Sequence, residues 1–322
     1  MKSKRVTIKD VASEIGVTPQ TVSRVFRGNG YVSADTRLRV LDAAERLRYV
    51  PNSAAIRLRT GGTKSVAVVF DSLINVYFAV MVDYLQKELQ ANGYEIVTIF
   101  LHSHTITEAV YREAISGGAS AIISFLEPDD ALDGVVKSFG VPLMILGRRS
   151  EIDVIDYMTT DDHTGGALAA QRLIDSGCKS FAYLSVSFGI TCVQDRYNGF
   201  VSVLNKHGYE AYTLDSTYGV YKAISEFKEK NGSLPDGIFC FSDMLAYDTV
   251  KCVRSMGESV KVVGYDNIQA DISMPIDLTT VGADKPQFVQ TVVKLLLDKI
   301  EGRTNDRIAN CFAVTLHGGE TA

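Results

Sequence analysis

From Lys64 onward the chain alternates short apolar runs with amphipathic stretches of helical spacing, and this alternation constrains the fold more than any other feature. The strand-like runs are 65–70, 94–101, 119–125 and 141–146, with helices beginning near Tyr77, Thr105 and Asp129. Apolar runs separated by helices belong in a parallel sheet covered on both faces. The pattern restarts after Asp161, with helices over 164–175, 195–206, 220–230 and 242–256 and strands over 180–184, 210–214, 237–241 and 260–264. Two similar α/β halves follow. Ligands in open α/β sheets bind outside the carboxyl ends of the strands, so two facing halves define a cleft between them.

The first 60 residues have a different texture. They hold 12 Lys or Arg against 5 Asp or Glu, a net of +7, whereas the remainder carries −12, and the overall −5 conceals the contrast. A cationic head on an anionic body is the footprint of a nucleic-acid-binding module joined to something that does not touch nucleic acid. Thr7 and Asp10 form a capping-box pattern before Ile8, Val11, Ala12 and Ile15, and Gly16 stops the first helix. Thr18 followed by Pro19 starts a second, whose apolar face is Val22, Val25 and Phe26. Ser33 caps a third, with Val40, Leu41, Ala44 and Leu47 expected inward. Two short helices joined by a tight turn, with a third behind, make a helix-turn-helix. The second helix is then expected in the major groove, with Thr18, Gln20, Thr21, Ser23, Arg24 and Arg27 facing outward; Gln pairs with adenine and Arg with guanine.

The segments Thr7-Ile-Lys-Asp-Val-Ala-Ser-Glu-Ile-Gly-Val-Thr-Pro-Gln-Thr-Val-Ser-Arg-Val, Val32-Ser-Ala-Asp-Thr-Arg and Arg48-Tyr-Val-Pro-Asn closely resemble the head of the LacI/GalR family of bacterial repressors. The resemblance implies a palindromic operator bound by a dimer. It assigns DNA contacts to Thr7, Thr18, Pro19, Gln20, Thr21, Ser23, Arg24 and Arg27, with Gln20 and Arg24 reading bases; many relatives carry a longer side chain than Pro19 at its place. The stretch 51–59 resembles the family's hinge helix, in which Asn52, Ala55 and Arg59 meet DNA and Leu58 wedges into the central base step from the minor groove. Gly61 and Gly62 follow as a flexible joint.

The body resembles the same family more loosely, through Asn75-Val-Tyr-Phe, Asp161-Asp-His-Thr-Gly-Gly, Arg196-Tyr-Asn-Gly-Phe, Phe241-Ser-Asp-Met-Leu-Ala and Val262-Val-Gly-Tyr-Asp-Asn. The fold expected is an all-α helix-turn-helix head (1–50), a hinge helix and linker (51–62), and a periplasmic-binding-protein-like α/β body (63–322) of two doubly wound subdomains. One subdomain takes 63–158 and 281–307, the other 159–280 and 308–322, with crossings near Tyr157, Thr280 and Ile308. The resemblance makes Arg196 and Asp266 the ligand-gripping pair, with Tyr77 and Phe78 supplying apolar faces and Ser72, Phe125, Arg148, Asp161 and Ser242 completing the site; Asp161, Asp162 and Ser242 are the weaker candidates, since each can simply cap a helix. Three departures stand out. The connection 257–260 is short, Asp162 replaces the usual asparagine, and Gly282-Ala-Asp-Lys-Pro replaces a basic or glutamine-containing segment.

Other chemistries fit less well. The cysteines, Cys178, Cys192, Cys240, Cys252 and Cys311, are odd in number and widely spaced, which argues against a disulfide framework or zinc site and suits a reducing cytosol. The basic N-terminus lacks the apolar core of a signal peptide, and the longest apolar runs fall short of a membrane span. Gly61-Gly-Thr-Lys-Ser precedes a strand instead of following one, unlike a phosphate loop, and His102 and His104 have no third metal ligand nearby. A periplasmic sugar binder without DNA function would need a signal peptide and no basic head, and a catalytic α/β domain would show a nucleotide loop or an acid/base pair; neither is visible, nor is a Gly-x-Ser-x-Gly elbow. The sequence therefore predicts a cytoplasmic repressor, not an enzyme, without cofactor or metal. Its partners are operator DNA, its own second copy and an effector of the sugar, phosphosugar or nucleobase class. With no leucine-heptad helix after 317, a dimer that does not tetramerise is expected.

Overall fold

A computed structural model of the chain describes residues 6–27, 31–47, 49, 64–72, 74–186 and 189–322. The chain divides into two units, 1–63 and 64–322. In the first, the Thr7 N–H and hydroxyl both donate to Asp10 Oδ2 at 2.7 Å and open α1 (Ile8–Ile15). Gly16 closes it at φ 69°, a left-handed conformation that costs glycine little. Thr18 Oγ1 accepts the Thr21 N–H at 3.1 Å and Pro19 begins α2 (Pro19–Arg27); Ser33 caps α3 (Ala34–Arg46). The core is Val11, Ala12, Val22, Val25, Val40, Ala43 and Ala44. Leu41 is 45% exposed, against expectation, because the inward stripe of α3 follows 40, 43 and 44 and position 41 lies a hundred degrees off it. Arg39 donates to the Ile15 carbonyl at the end of α1 (2.9 Å), so this cation fastens the bundle at a helix C-terminus.

The second unit holds two six-stranded sheets. Its elements, in chain order, are β1 (Ser65–Phe70), α4 (Val76–Ala91), β2 (Glu95–Phe100), β3 (Thr105–Ile106), α5 (Glu108–Ser116), β4 (Ala121–Ser124), β5 (Glu127–Pro128), α6 (Leu132–Phe139), β6 (Leu143–Leu146) and β7 (Asp156–Thr160). Next come α7 (Asp162–Asp175), β8 (Phe181–Ser185), α8 (Thr191–Lys206), β9 (Ala211–Asp215), α9 (Val220–Asn231), β10 (Gly237–Cys240), α10 (Asp243–Ser255), β11 (Lys261–Tyr265) and a 3₁₀ turn (Ile268–Ala270). The chain ends with β12 (Thr280–Gly282), α11 (Lys285–Ile300), β13 (Ala309–Phe312) and β14 (Thr315–His317). The first sheet runs β13-β7-β6-β4-β1-β2, all parallel, and the second β14-β12-β11-β10-β8-β9, parallel except for the antiparallel β12–β14 pair. The central strands β1, β4, β6, β8 and β10 are buried along their whole length, as strands covered on both faces must be.

The chain passes between the halves after Thr160, after Gly282 and between Phe312 and Thr315. The last crossing comes later than Ile308, where it was expected, because β13 adds to the first sheet beside β7. Buried Asp156 explains that addition: its Oδ1 accepts the Ile308 N–H (2.8 Å) and Lys299 Nζ (2.7 Å), clamping the incoming strand. The helix expected near Thr105 begins at Glu108 because Thr105–Ile106 pairs with Glu127–Pro128. Among the described residues no helix is long and apolar enough to cross a membrane.

Candidate functional site

Two surfaces collect the residues singled out above. On the first unit, Thr18, Pro19, Gln20 and Arg24 are exposed along α2, and Thr21 is half-buried with its hydroxyl 2.9 Å from that of Thr18. Ser23, expected outward, is buried at 7% exposure, because it lies three residues before Phe26 on the flank of the core stripe. Thr7 is exposed, but its hydroxyl already donates to Asp10. Arg27 ends α2, and its side chain lies outside the described residues, as do Asn52, Ala55, Leu58 and Arg59.

On the second unit, a cavity of about 250 Å³ opens between the halves at the carboxyl ends of the strands, the place the topology favours. Of the nine positions expected there, Ser72, Tyr77, Phe78, Phe125, Arg148, Arg196, Ser242 and Asp266 line it. Asp161 does not. Its Oδ1 accepts the Thr164 N–H at 3.0 Å, so it serves as the N-cap of α7 and is not a cleft residue.

Asn75 builds the aromatic wall. Its Oδ1 accepts the Tyr77 N–H (3.1 Å), fixing the first turn of α4 so that the Phe78 ring lies 5.3 Å from that of Phe125 and 5.8 Å from that of Tyr77. Tyr77 packs against the cores of both halves, and burial drives its hydroxyl pKa far upward, so it faces the cavity as a neutral donor.

Opposite, Arg196 on α8 is 7% exposed and held from three sides. Its Nε donates to Asp162 Oδ1 (2.7 Å), its Nη1 to the Phe241 carbonyl (2.6 Å), and its guanidinium lies 3.5 Å from the Tyr265 ring centroid. Burial is the largest single influence and works against that charge, but Asp162, with Tyr265, Cys192 and Asp266, together outweigh it and hold the guanidinium above its ordinary range; burial in turn pushes the Asp162 carboxyl up, against the pull of Arg196. This depth is reached because α7 and α8 cross on glycine. A Cβ on Gly166 would stand 2.0 Å from the Arg196 carbonyl oxygen, and one on Gly199 1.8 Å from that of His163. Gly165 likewise leaves room for the Tyr265 ring.

Asp266 follows β11 at φ 109°, a conformation that non-glycine residues rarely adopt and that stores about 1–3 kcal/mol. Burial raises its pKa, while Arg196 and then Lys285 pull it down. Its loop is fastened by Asp243, fully buried, whose carboxyl oxygens accept from the Ile268 N–H (2.8 Å) and the Thr280 hydroxyl (2.5 Å). Asp243 and Lys285 were missed by sequence reasoning. Lys285, buried at 5% exposure, donates to the Asn267 carbonyl and pairs with Asp271, both at 2.8 Å, and Tyr84 from α4 donates to the other oxygen of Asp271 at 2.6 Å. The only sequence signal for Lys285 was that its segment departs from the family pattern. His104 Nδ1 sits 2.6 Å from Asp71 at the cavity edge, and among the described residues no group of three or more His, Cys, Asp or Glu could hold a metal ion.

The profile of the family described as "Bacterial regulatory proteins, lacI family" matches residues 7–52, and that of "Periplasmic binding protein-like domain" matches residues 170–317. The chain is 26% identical over 315 residues to the HTH-type transcriptional repressor PurR of Pasteurella multocida (strain Pm70), an alignment covering 94% of each chain. Among solved structures, the lac repressor dimer bound to operator and the anti-inducer ONPF superposes with a TM-score of 0.81 at 23% identity over 99% of each chain. The complex of the transcriptional regulator CelR with cellobiose gives 0.70 at 25% identity, over 99% of this chain and 100% of that one.

Proposed function

The chain belongs to the LacI family of bacterial transcriptional regulators, and on that premise we propose that it is a repressor that binds a palindromic operator as a homodimer and releases or holds it in response to a sugar or sugar derivative. The observation that carries the reading is the division of α2: Val22 and Val25 are buried in the head, while Gln20 and Arg24, able to match adenine and guanine edges, face outward. Thr18 and Thr21 position the backbone at the same helix start. Leu58, flanked by Arg57 and Arg59, is the apolar wedge at the operator centre.

Support for an effector comes from the cleft. Aromatic faces on one wall and the Arg196–Asp266 pair on the other offer donors and acceptors to a polyhydroxylated ring, with the carboxylate accepting from hydroxyls and the guanidinium donating. Support for pairing comes from the outer strands: Val97 and Phe100 on β2 and Tyr212 on β9 are 42%, 50% and 51% exposed, apolar area that a second copy would cover.

Selection of binding sites from randomised DNA with the full chain tests the reading. The expected product is a twofold-symmetric site whose bound complex has the mass of two chains on DNA. Enrichment of an asymmetric site, or none, overturns it.

A further inference from the structure

Among the described residues, every charged group of the cleft but two is matched by the protein. Arg196 has Asp162, Lys285 has Asp271, and Asp71 has His104. The exceptions are Asp266 and Arg148. Arg148 follows β6 and Gly147, is 8% exposed, and lines the cavity; its Nη1 is enclosed and has no hydrogen-bond partner. A buried guanidinium without a partner is costly, since cations of this kind are otherwise paired or hydrogen-bonded. The charges acting on Asp266 are Arg196, Lys285 and Asp162, so Arg148 stands apart from it.

The surroundings of Arg148 show what it awaits. The N–H of the next residue, Arg149, donates to Thr191 Oγ1 at 3.2 Å, which brings the end of β6 to the first turn of the 16-residue helix α8. Ile190, the N-cap, provides no side-chain cap, and Glu127 Oε1 takes only the Thr191 N–H (3.2 Å) and hydroxyl (3.3 Å). Ile190 and Cys192 line the same cavity as Arg148. An unpartnered guanidinium beside the amino end of a long helix is a site for an oxyanion, served by a planar fork of donors and by the helix dipole.

We propose that the ligand of the cleft carries an oxyanion, a phosphate ester or carboxylate, bound by Arg148 against the first turn of α8 while its hydroxyl or N–H groups reach Asp266. This rests on the reading that the cleft takes a small effector, and it narrows that effector to an anionic member of the sugar class.

The test is calorimetric titration and thermal melting of the full chain against matched probes: glucose, glucose 6-phosphate and gluconate; ribose and ribose 5-phosphate; and inorganic phosphate alone against chloride at equal ionic strength. An anionic member is expected to bind roughly tenfold or more tightly than its neutral partner, with phosphate alone raising the melting temperature. The phosphate and carboxylate arms distinguish the two sources. Arg148→Met removes the preference, Arg148→Lys retains part of it, and unliganded Arg148→Met melts at or above the parent because an unpaired buried charge is gone. The proposal is overturned by a neutral sugar that binds as well as its anions, by an anion preference that survives Arg148→Met, by a parent indifferent to every anion, or by an Arg148→Met protein that melts well below the parent. Neutral-sugar binding leaves the effector reading standing. That reading fails separately, if no probe of either charge alters operator retention by a protein that binds DNA.

Discussion

Gly199→Ala should damage this protein far more than a methyl group ordinarily does. The new Cβ would lie 1.8 Å from the His163 carbonyl oxygen, where a C···O contact needs about 3.3–3.6 Å, so the two backbones must separate by roughly 1.5 Å. Neither partner is a side chain that can change rotamer, which puts the cost at or above the upper end of the roughly 1–3 kcal/mol typical of overpacking. The helix gains back about 1 kcal/mol from replacing glycine with alanine, leaving a net loss of roughly 2–4 kcal/mol. For a unit of this size each kcal/mol moves the midpoint by about 2–4 °C, so the body should melt roughly 4–16 °C lower.

The same displacement carries Arg196, one turn earlier on α8, away from Asp162 and the Phe241 carbonyl, so ligand affinity should fall with stability. Differential scanning calorimetry of the full chain gives the midpoints. Gly134→Ala is the control: it sits exposed in α6, where an added methyl would meet nothing within 4 Å, and should stabilise by about 1 kcal/mol. Gly166→Ala wedges the same crossing from the other side, where its methyl would meet the Arg196 carbonyl at 2.0 Å. The double variant should therefore lose less than the sum of the singles. Gly199→Ala melting at or above the parent, or strict additivity with Gly166→Ala, would refute the close-crossing argument.

Two further outcomes follow. Burial raises Asp266 from 3.8 to about 7, so its contribution to stability is fully present below about pH 4 and is lost as pH rises through 7. Asp266→Asn should gain about 2–3 kcal/mol relative to the parent between pH 5 and pH 8, and a pH-independent difference in melting temperature contradicts the assignment. Arg24→Ala should cost about 1–3 kcal/mol on the selected operator and relax one base position, as read by mobility shift on single-base variants; an equal loss on every sequence makes Arg24 a phosphate contact instead.

Much of this was legible because its causes are local. Capping at Thr7, Thr18 and Ser33, the stops around α1, and the period of the apolar residues set the head, and the uninterrupted apolar strands set the parallel sheets. What stayed hidden depends on contacts between distant segments. Asp161 and Asp162 are adjacent and chemically identical, yet one caps its own helix and the other is buried against a residue 34 positions away. Sequence reasoning named both as weaker cleft candidates, each able to cap a helix instead, and could not tell them apart. Ser23 was misplaced by one helical step, and β13 by a strand pairing that a buried Asp156 decides. Lys285 acquires meaning only where the 3₁₀ turn brings Asn267 and Asp271 beside it.

The arrangement of unmatched charge bears on how a ligand can act at all. A ligand shifts a conformational equilibrium only by the difference in its affinity for the two states, so contacts confined to one half bias nothing. Arg148 issues from the first sheet, and Asp266 and the start of α8 belong to the second, so a molecule bonded to both is bound best at one separation of the halves. In this structure the halves are joined through Asp271, from the second half, which takes Tyr84 of α4 on one oxygen and faces Lys285, at the crossing into α11, with the other. Lys285 also lines the cavity. A ligand filling that cavity would therefore meet one of the residues that join the two halves. A coupling of about 1–3 kcal/mol requires no more than one such charge-assisted hydrogen bond, made in one state and broken in the other.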